Sequence, residues 1–160
     1  MPALVARDEG ALTRAILRSC EVKAEVVAAD EKEQSIRAIL NFGHTFGHAI
    51  ETEMGYGQWL HGEAVAVGML FALDLTVREG NVDAAELPRL TNLLANAMLP
   101  TKAPSEVTVD KFLEHMSVDK KVIDKKLRLV LLKSIGQALT TSDFSHENLL
   151  ATLNETKYRD

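Results

Sequence analysis

A chain of 160 residues, 46% hydrophobic and 26% charged, suits one compact globular domain with a core of useful size. Its formal net charge of -5 argues against a dedicated nucleic-acid binder, which presents a basic face, yet leaves room for a small basic pocket. The single cysteine, Cys20, cannot form an intrachain disulfide and points to a reducing cytoplasm, while the longest apolar run, Ala64 to Leu73, is about half of what a bilayer requires and ends at Asp74.

Met1 to Arg7 shows no basic segment leading into a long apolar stretch, so no leader is expected. Leu12, Ile16, Leu17, Cys20 and Val27 fall at helical spacing and predict an amphipathic helix over about residues 9–28. Asp30 followed by Glu33 reads as a capping signal for a second, short helix through Ile36 and Leu40. From Asn41 to Glu51, Phe42, Phe46, Ala49 and Ile50 share one helical face and His44, His48 and Glu51 another. Gly55-Tyr56-Gly57 is a turn. Ala64 to Val77 is apolar almost all round, which predicts a helix buried at the centre of a bundle. Two further helices are expected near 86–98 and 108–117, separated by Pro100 and Pro104. Asp119 to Lys126 reads as a charged loop, followed by a strand over 127–132, a turn at Gly136 and a strand near 137–141. Ser145 caps a last helix to about 155. The fold class is mainly α, a single helical-bundle domain over 1–160 carrying a small β-hairpin. No glycine-rich loop follows a strand and no strand–helix alternation builds a parallel sheet, so no nucleotide-binding domain is recognisable.

Chemistry concentrates between residues 41 and 63. His44 and His48 stand one helical turn apart and could share a metal ion, or could simply be solvated or hydrogen-bonded. The glutamate that a zinc protease carries after its first histidine is Thr45 here, so that reading fails. Gly43 and Gly47 inside a helical pattern each cost roughly 1 kcal/mol against alanine, which implies close approach of a ligand or of another helix. His61, at the entrance to the buried helix, is a candidate third ligand, anion contact or cap. Lys23, Arg37, Lys120 and Lys121 are candidate anion contacts or ordinary surface charges, and Asn41 a ligand contact or a helix cap.

Arg37-Ala38-Ile39-Leu40-Asn41-Phe42-Gly43-His44-Thr45-Phe46-Gly47-His48-Ala49-Ile50-Glu51 resembles the signature of the 3-dehydroquinate synthases, as do Leu60 to Met69, Cys20 to Glu31 and Asp119-Lys120-Lys121, in order and spacing. The resemblance covers essentially the whole chain and implies the C-terminal half of that fold. Its implied activity converts 3-deoxy-D-arabino-heptulosonate 7-phosphate to 3-dehydroquinate and phosphate, in the shikimate route to aromatic amino acids, with NAD and a divalent metal, zinc or cobalt. It makes His44 and His61 metal ligands, displacing the His44/His48 pair. It places His48 at the phosphate end of the substrate, with Lys23, Arg37, Asn41 and Lys120 as substrate contacts and His48 and Lys23 as catalytic groups. It further implies a cytoplasmic enzyme, homodimeric at full length, whose partner is a phosphorylated sugar acid rather than nucleic acid or membrane.

The family takes its third metal ligand, a glutamate, and its NAD-binding domain from upstream of the segments matched here. The chain alone is therefore expected to be incomplete as a catalyst. Glu21, Glu51 and Glu63 are available carboxylates, but none matches that ligand. A related sugar phosphate cyclase and a non-catalytic helical dimerisation module are the alternative readings.

Overall fold

The computed structural model describes residues 1–30, 36–55, 57–118, 127–155 and 158. Helix α1 (Pro2–Val5) leads into α2 (Glu9–Ala29), whose first turn is closed by the Asp8 carboxylate accepting from the Ala11 N–H at 2.8 Å. The long helix is present as the spacing predicts, and its apolar row is largely uncovered among the described residues. Ile16 and Leu17 are 62% and 57% exposed, and Ala11 is the helix's one buried residue.

The second short helix is present through Ile36 and Leu40 as a 3-10 helix, Ile36–Asn41. The Asp30 carboxylate reaches its Arg37 N–H at 3.0 Å, while Glu33 lies outside the described residues. Gly43 then starts α3 (His44–Met54) from a left-handed conformation, φ 81°. Gly43 is thus the residue before the helix rather than one inside it, and Asn41 does not cap it. Gly55, also at φ 81°, ends α3.

Helix α4 (His61–Arg78) is the axis of the molecule. The Glu63 carboxylate folds back to accept the Leu60 N–H at 2.9 Å, and the helix is buried from Ala64 to Thr76 except at Met69. Around it pack α3, α5 (Glu86–Asn96), α7 (His146–Leu153) and the hairpin β1 (Leu129–Ser134)–β2 (Gln137–Thr141). Helix α6 (Val109–Val118) lies against α3, where His115 Nε2 meets the Glu53 carboxylate at 2.8 Å. The hairpin is antiparallel, with Leu129 opposite Thr141 and Leu131 opposite Leu139. The Thr76 hydroxyl donates to the Ala72 carbonyl and accepts the Leu132 N–H at 3.2 Å, tying sheet to helix. Ser145 caps α7 by accepting from the Asn148 N–H at 3.3 Å, as the sequence predicts.

Phe71 is the centre of the core. Its ring lies 5.7 Å from Phe46, 5.1 Å from Phe112 and 5.8 Å from Tyr158, and full burial of such a side chain stabilises by about 1.5–3 kcal/mol. One turn on, buried Asp74 accepts from Arg78 Nε, from the Thr152 hydroxyl at 2.9 Å and from the Tyr158 hydroxyl at 3.5 Å. A carboxylate this deep is tolerated because each of these donors reaches it.

Helices α3 and α4 touch backbone to backbone. A Cβ on Gly47 would lie 3.0 Å from the Val65 Cα, and one on Gly43 would lie 2.6 Å from the Met69 N. The facing pairs run in opposite order, Gly43 with Gly68 and Gly47 with Ala64–Val65, so the helices are antiparallel. Close helix packing, one of the two explanations for the glycines, is thus present.

Candidate functional site

The antiparallel register decides which side chains meet. Continuing it one turn beyond the Gly47 contact sets Glu51 of α3 against His61, the first residue of α4, and the Glu51 carboxylate lies 3.1 Å from His61 Nδ1. His44 and His48, successive turns of α3, point to the same place. The ring centroids are 5.2 Å apart for His44 and His61, 5.6 Å for His44 and His48, and 5.8 Å for His48 and His61. His44 is half-buried with Nδ1 3.4 Å from the Phe42 carbonyl, whereas His48 and His61 are exposed.

Three imidazoles and a carboxylate form a donor set that suits zinc or cobalt. Ligand atoms of His48, Glu51 and His61 all lie within 4.8 Å of one another. His44, which the resemblance assigns to the metal with His61, is not in that ligand-atom group, but its ring lies next to that of His61. The residues therefore fit a divalent cation.

Beside the cluster, a cleft of about 690 Å³ is lined by Arg18, Ser19, Lys23, Arg37, Asn41 and His44, among others. Helix α2 supplies Lys23, and the 3-10 turn supplies Arg37 and Asn41. Lys23 of α2 thus faces the same space as Arg37, Asn41 and His44, which follow it by 14 to 21 residues. Lys120 lies outside the described residues. Arg18 and Ser19 were not singled out from the sequence, although Ser19 stands one turn before Lys23. Arg18 is exposed and paired with Glu21 at 3.2 Å and Glu25 at 3.4 Å, and these partners raise its guanidinium pKa, the Glu21 hydrogen bond foremost. Glu51 was visible in the sequence on the histidine face, but its pairing with His61 was not.

For a dinucleotide the described residues do not fit. Their sheet is a two-stranded antiparallel hairpin, with no parallel strand running into a helix N-terminus to cradle a pyrophosphate. No helix among the described residues is long and apolar enough to cross a membrane.

Fold and site together define a helical domain whose imidazole cluster opens on a cationic cleft. The chain belongs to the 3-dehydroquinate synthase C-terminal family, whose model matches residues 1–122. It is 57% identical over 159 residues to a 3-dehydroquinate synthase of Azotobacter vinelandii, covering 99% of this chain and 43% of that protein. It is 58% identical over 151 residues to one of Pseudomonas syringae pv. tomato, covering 94% and 41%. The chain thus spans under half the length of these curated relatives. Among solved structures it resembles 2-epi-5-epi-valiolone synthase from Streptomyces hygroscopicus subsp. jinggangensis, bound to NAD+ and Zn2+, with TM-score 0.76 and 26% identity over 90% of this chain and 39% of that one. It also resembles 2-deoxy-scyllo-inosose synthase complexed with carbaglucose-6-phosphate, NAD+ and Co2+, with TM-score 0.66 and 26% identity over 84% of this chain and 39% of that one.

Proposed function

We propose that this chain is the metal- and substrate-binding part of a 3-dehydroquinate synthase, which converts 3-deoxy-D-arabino-heptulosonate 7-phosphate to 3-dehydroquinate and phosphate in the cytoplasmic shikimate route. The observation that carries this reading is the convergence of His44, His48 and His61 at the edge of the cleft lined by Lys23, Arg37 and Asn41. The greater identity to 3-dehydroquinate synthases than to cyclases making other carbocycles supports this product over theirs.

His44 and His61 would hold the cation. A divalent cation held there would supply Lewis acidity, lowering the pKa of a substrate hydroxyl and polarising a carbonyl. The remaining work falls to side chains. Arg37 and Lys23 pin the phosphate and carboxylate of the sugar acid by charge-assisted hydrogen bonds, with the arginine able to bind bidentately. Asn41 donates its amide to the same ligand. His48, exposed beside His44, holds a proton at the phosphate end for the departing oxygen. Fixing a flexible sugar acid between these groups removes several kcal/mol from the barrier to ring closure, on the order of the gains known for oriented reactants. The nicotinamide chemistry belongs to a dinucleotide-binding unit of a kind not found among the described residues, and turnover depends on it. The exposed apolar row of α2 and the exposed thiol of Cys20 support a larger, homodimeric enzyme in a reducing compartment.

Zinc titration of the chain tests the reading directly. Wild type is expected to bind one zinc per chain, and His44→Ala and His61→Ala to weaken it severely; unchanged affinity in both removes them from the metal role. Supplied with zinc, NAD and substrate, the chain alone is expected to bind substrate without forming dehydroquinate.

A further inference from the structure

Glu51 is given no role in the proposed reaction, yet its carboxylate lies at hydrogen-bond distance from His61, whose ring also neighbours those of His44 and His48. We infer that Glu51 is a positioning residue: its carboxylate takes the Nδ1–H of His61 and thereby turns the ring's other nitrogen, Nε2, toward His44 and the cation. The inference rests on the proposed metal centre.

Three observations carry it. First, Glu51 Oε2 lies 3.1 Å from His61 Nδ1, a hydrogen-bond distance, on the edge of the ring that bears Nδ1. An ionised carboxylate only accepts, so Nδ1 must carry the proton and Nε2 the lone pair a metal needs. Second, His44 shows the same arrangement, with its Nδ1 3.4 Å from the Phe42 carbonyl, an acceptor that cannot donate. Both histidines assigned to the metal thus have Nδ1 against an oxygen acceptor, the pattern by which proteins fix the tautomer and aim of a ligating imidazole. Third, the contact is imposed by the fold. The backbone nesting of Gly43 and Gly47 on α4 sets the register that brings Glu51 opposite His61. Glu51 is half-buried while His61 is exposed, so the carboxylate is the better-held member of the pair.

Glu51 could instead be a ligand itself, since its oxygen lies within 4.8 Å of ligand atoms of His48 and His61. In the positioning role that oxygen would accept from Nδ1–H, and in the ligand role it would bind the cation. Two variants separate the roles. Glu51→Gln keeps an oxygen that accepts from Nδ1–H, and Glu51→Ala does not.

The experiment uses the 160-residue chain and reads two quantities. Nitrogen-15 NMR of the zinc-free protein, with the imidazoles neutral, reports the His61 tautomer. Competition with a chromophoric chelator reports zinc affinity, and circular dichroism confirms that each variant is folded. Wild type is expected to hold His61 with the proton on Nδ1. Glu51→Ala is expected to lose that preference and about 10–100-fold in zinc affinity, and Glu51→Gln to recover most of both. An unmoved tautomer in Glu51→Ala overturns the positioning role. So does a Glu51→Gln variant that loses as much zinc affinity as Glu51→Ala while keeping the proton on Nδ1, which would make Glu51 a direct ligand. Equal zinc affinity in wild type and His61→Ala removes the metal reading instead, and with it the purpose assigned to Glu51.

Discussion

A Cβ placed on Gly68 would lie 2.1 Å from the carbonyl oxygen of Gly43, so the two helices that carry the histidines meet with no room for a methyl group. Gly68→Ala is therefore expected to force α3 and α4 apart and cost about 3 kcal/mol, at the upper end of overpacking penalties. Gly62→Ala is the control. Nothing lies within 4 Å of its Cβ, and alanine should stabilise the first turn of α4 by up to about 1 kcal/mol. Urea denaturation of the two variants measures the difference.

Asp74→Ala should cost about 3–5 kcal/mol, because it strips a buried acceptor from Arg78, Thr152 and Tyr158 at once. Tyr158→Phe removes the long hydrogen bond to Asp74 and should cost about 1 kcal/mol. Burial, reinforced by the negative charge of Asp74, pushes the Tyr158 hydroxyl well above the ordinary tyrosine value of 10.0. A raised acid pKa in the fold means that its stabilisation is complete below the unfolded value and is lost as pH rises beyond it. Wild type should therefore lose stability above pH 10.0 more steeply than Tyr158→Phe, as followed by alkaline unfolding.

The acid limb behaves in the opposite sense. The hydrogen bond from His115 holds the Glu53 carboxyl below its ordinary value of 4.5, with Lys111 assisting. A depressed pKa contributes stability that is present above the unfolded value and disappears as pH falls through the folded one. Acid titration by circular dichroism should show wild type losing stability below pH 4.5 more steeply than Glu53→Gln, which has no proton to take up there.

Arg37→Ala should weaken binding of a sugar-acid phosphate by about tenfold to 100-fold, the loss expected for hydrogen bonds to a charged group. Arg37→Lys should restore only part of it, since a lysine cannot bind in bidentate fashion. Arg18→Ala should change little, because that guanidinium is exposed and already shared between Glu21 and Glu25. Isothermal calorimetry on the zinc-loaded chain distinguishes the three.

The fold was legible where a residue's own neighbours decide the matter. The all-round apolar character of Ala64 to Val77 revealed the central helix, and Ser145 marked the start of the last one. The spacing of Leu12, Ile16 and Leu17 correctly gave a helix, but periodicity records only that a face is apolar, and here the described residues leave that face uncovered. Gly43 was misplaced inside α3 for a related reason. Its left-handed φ is dictated by contact with Met69 and Gly68, across more than twenty residues of sequence. The candidate site divided along the same line: His44, His48 and Glu51 shared a face by spacing alone, whereas the approach of His61 to Glu51 depends on how two helices register.

That register works as a caliper with its stop at Gly43 and Gly68 and its jaws at His44 and His61. Sliding α4 by one residue moves it about 1.5 Å, enough to lift Gly68 off Gly43 and to draw His61 away from Glu51 in the same motion. Fitness of the donor set and tightness of the core are therefore inherited together, and a second-site change that rescues one must rescue the other.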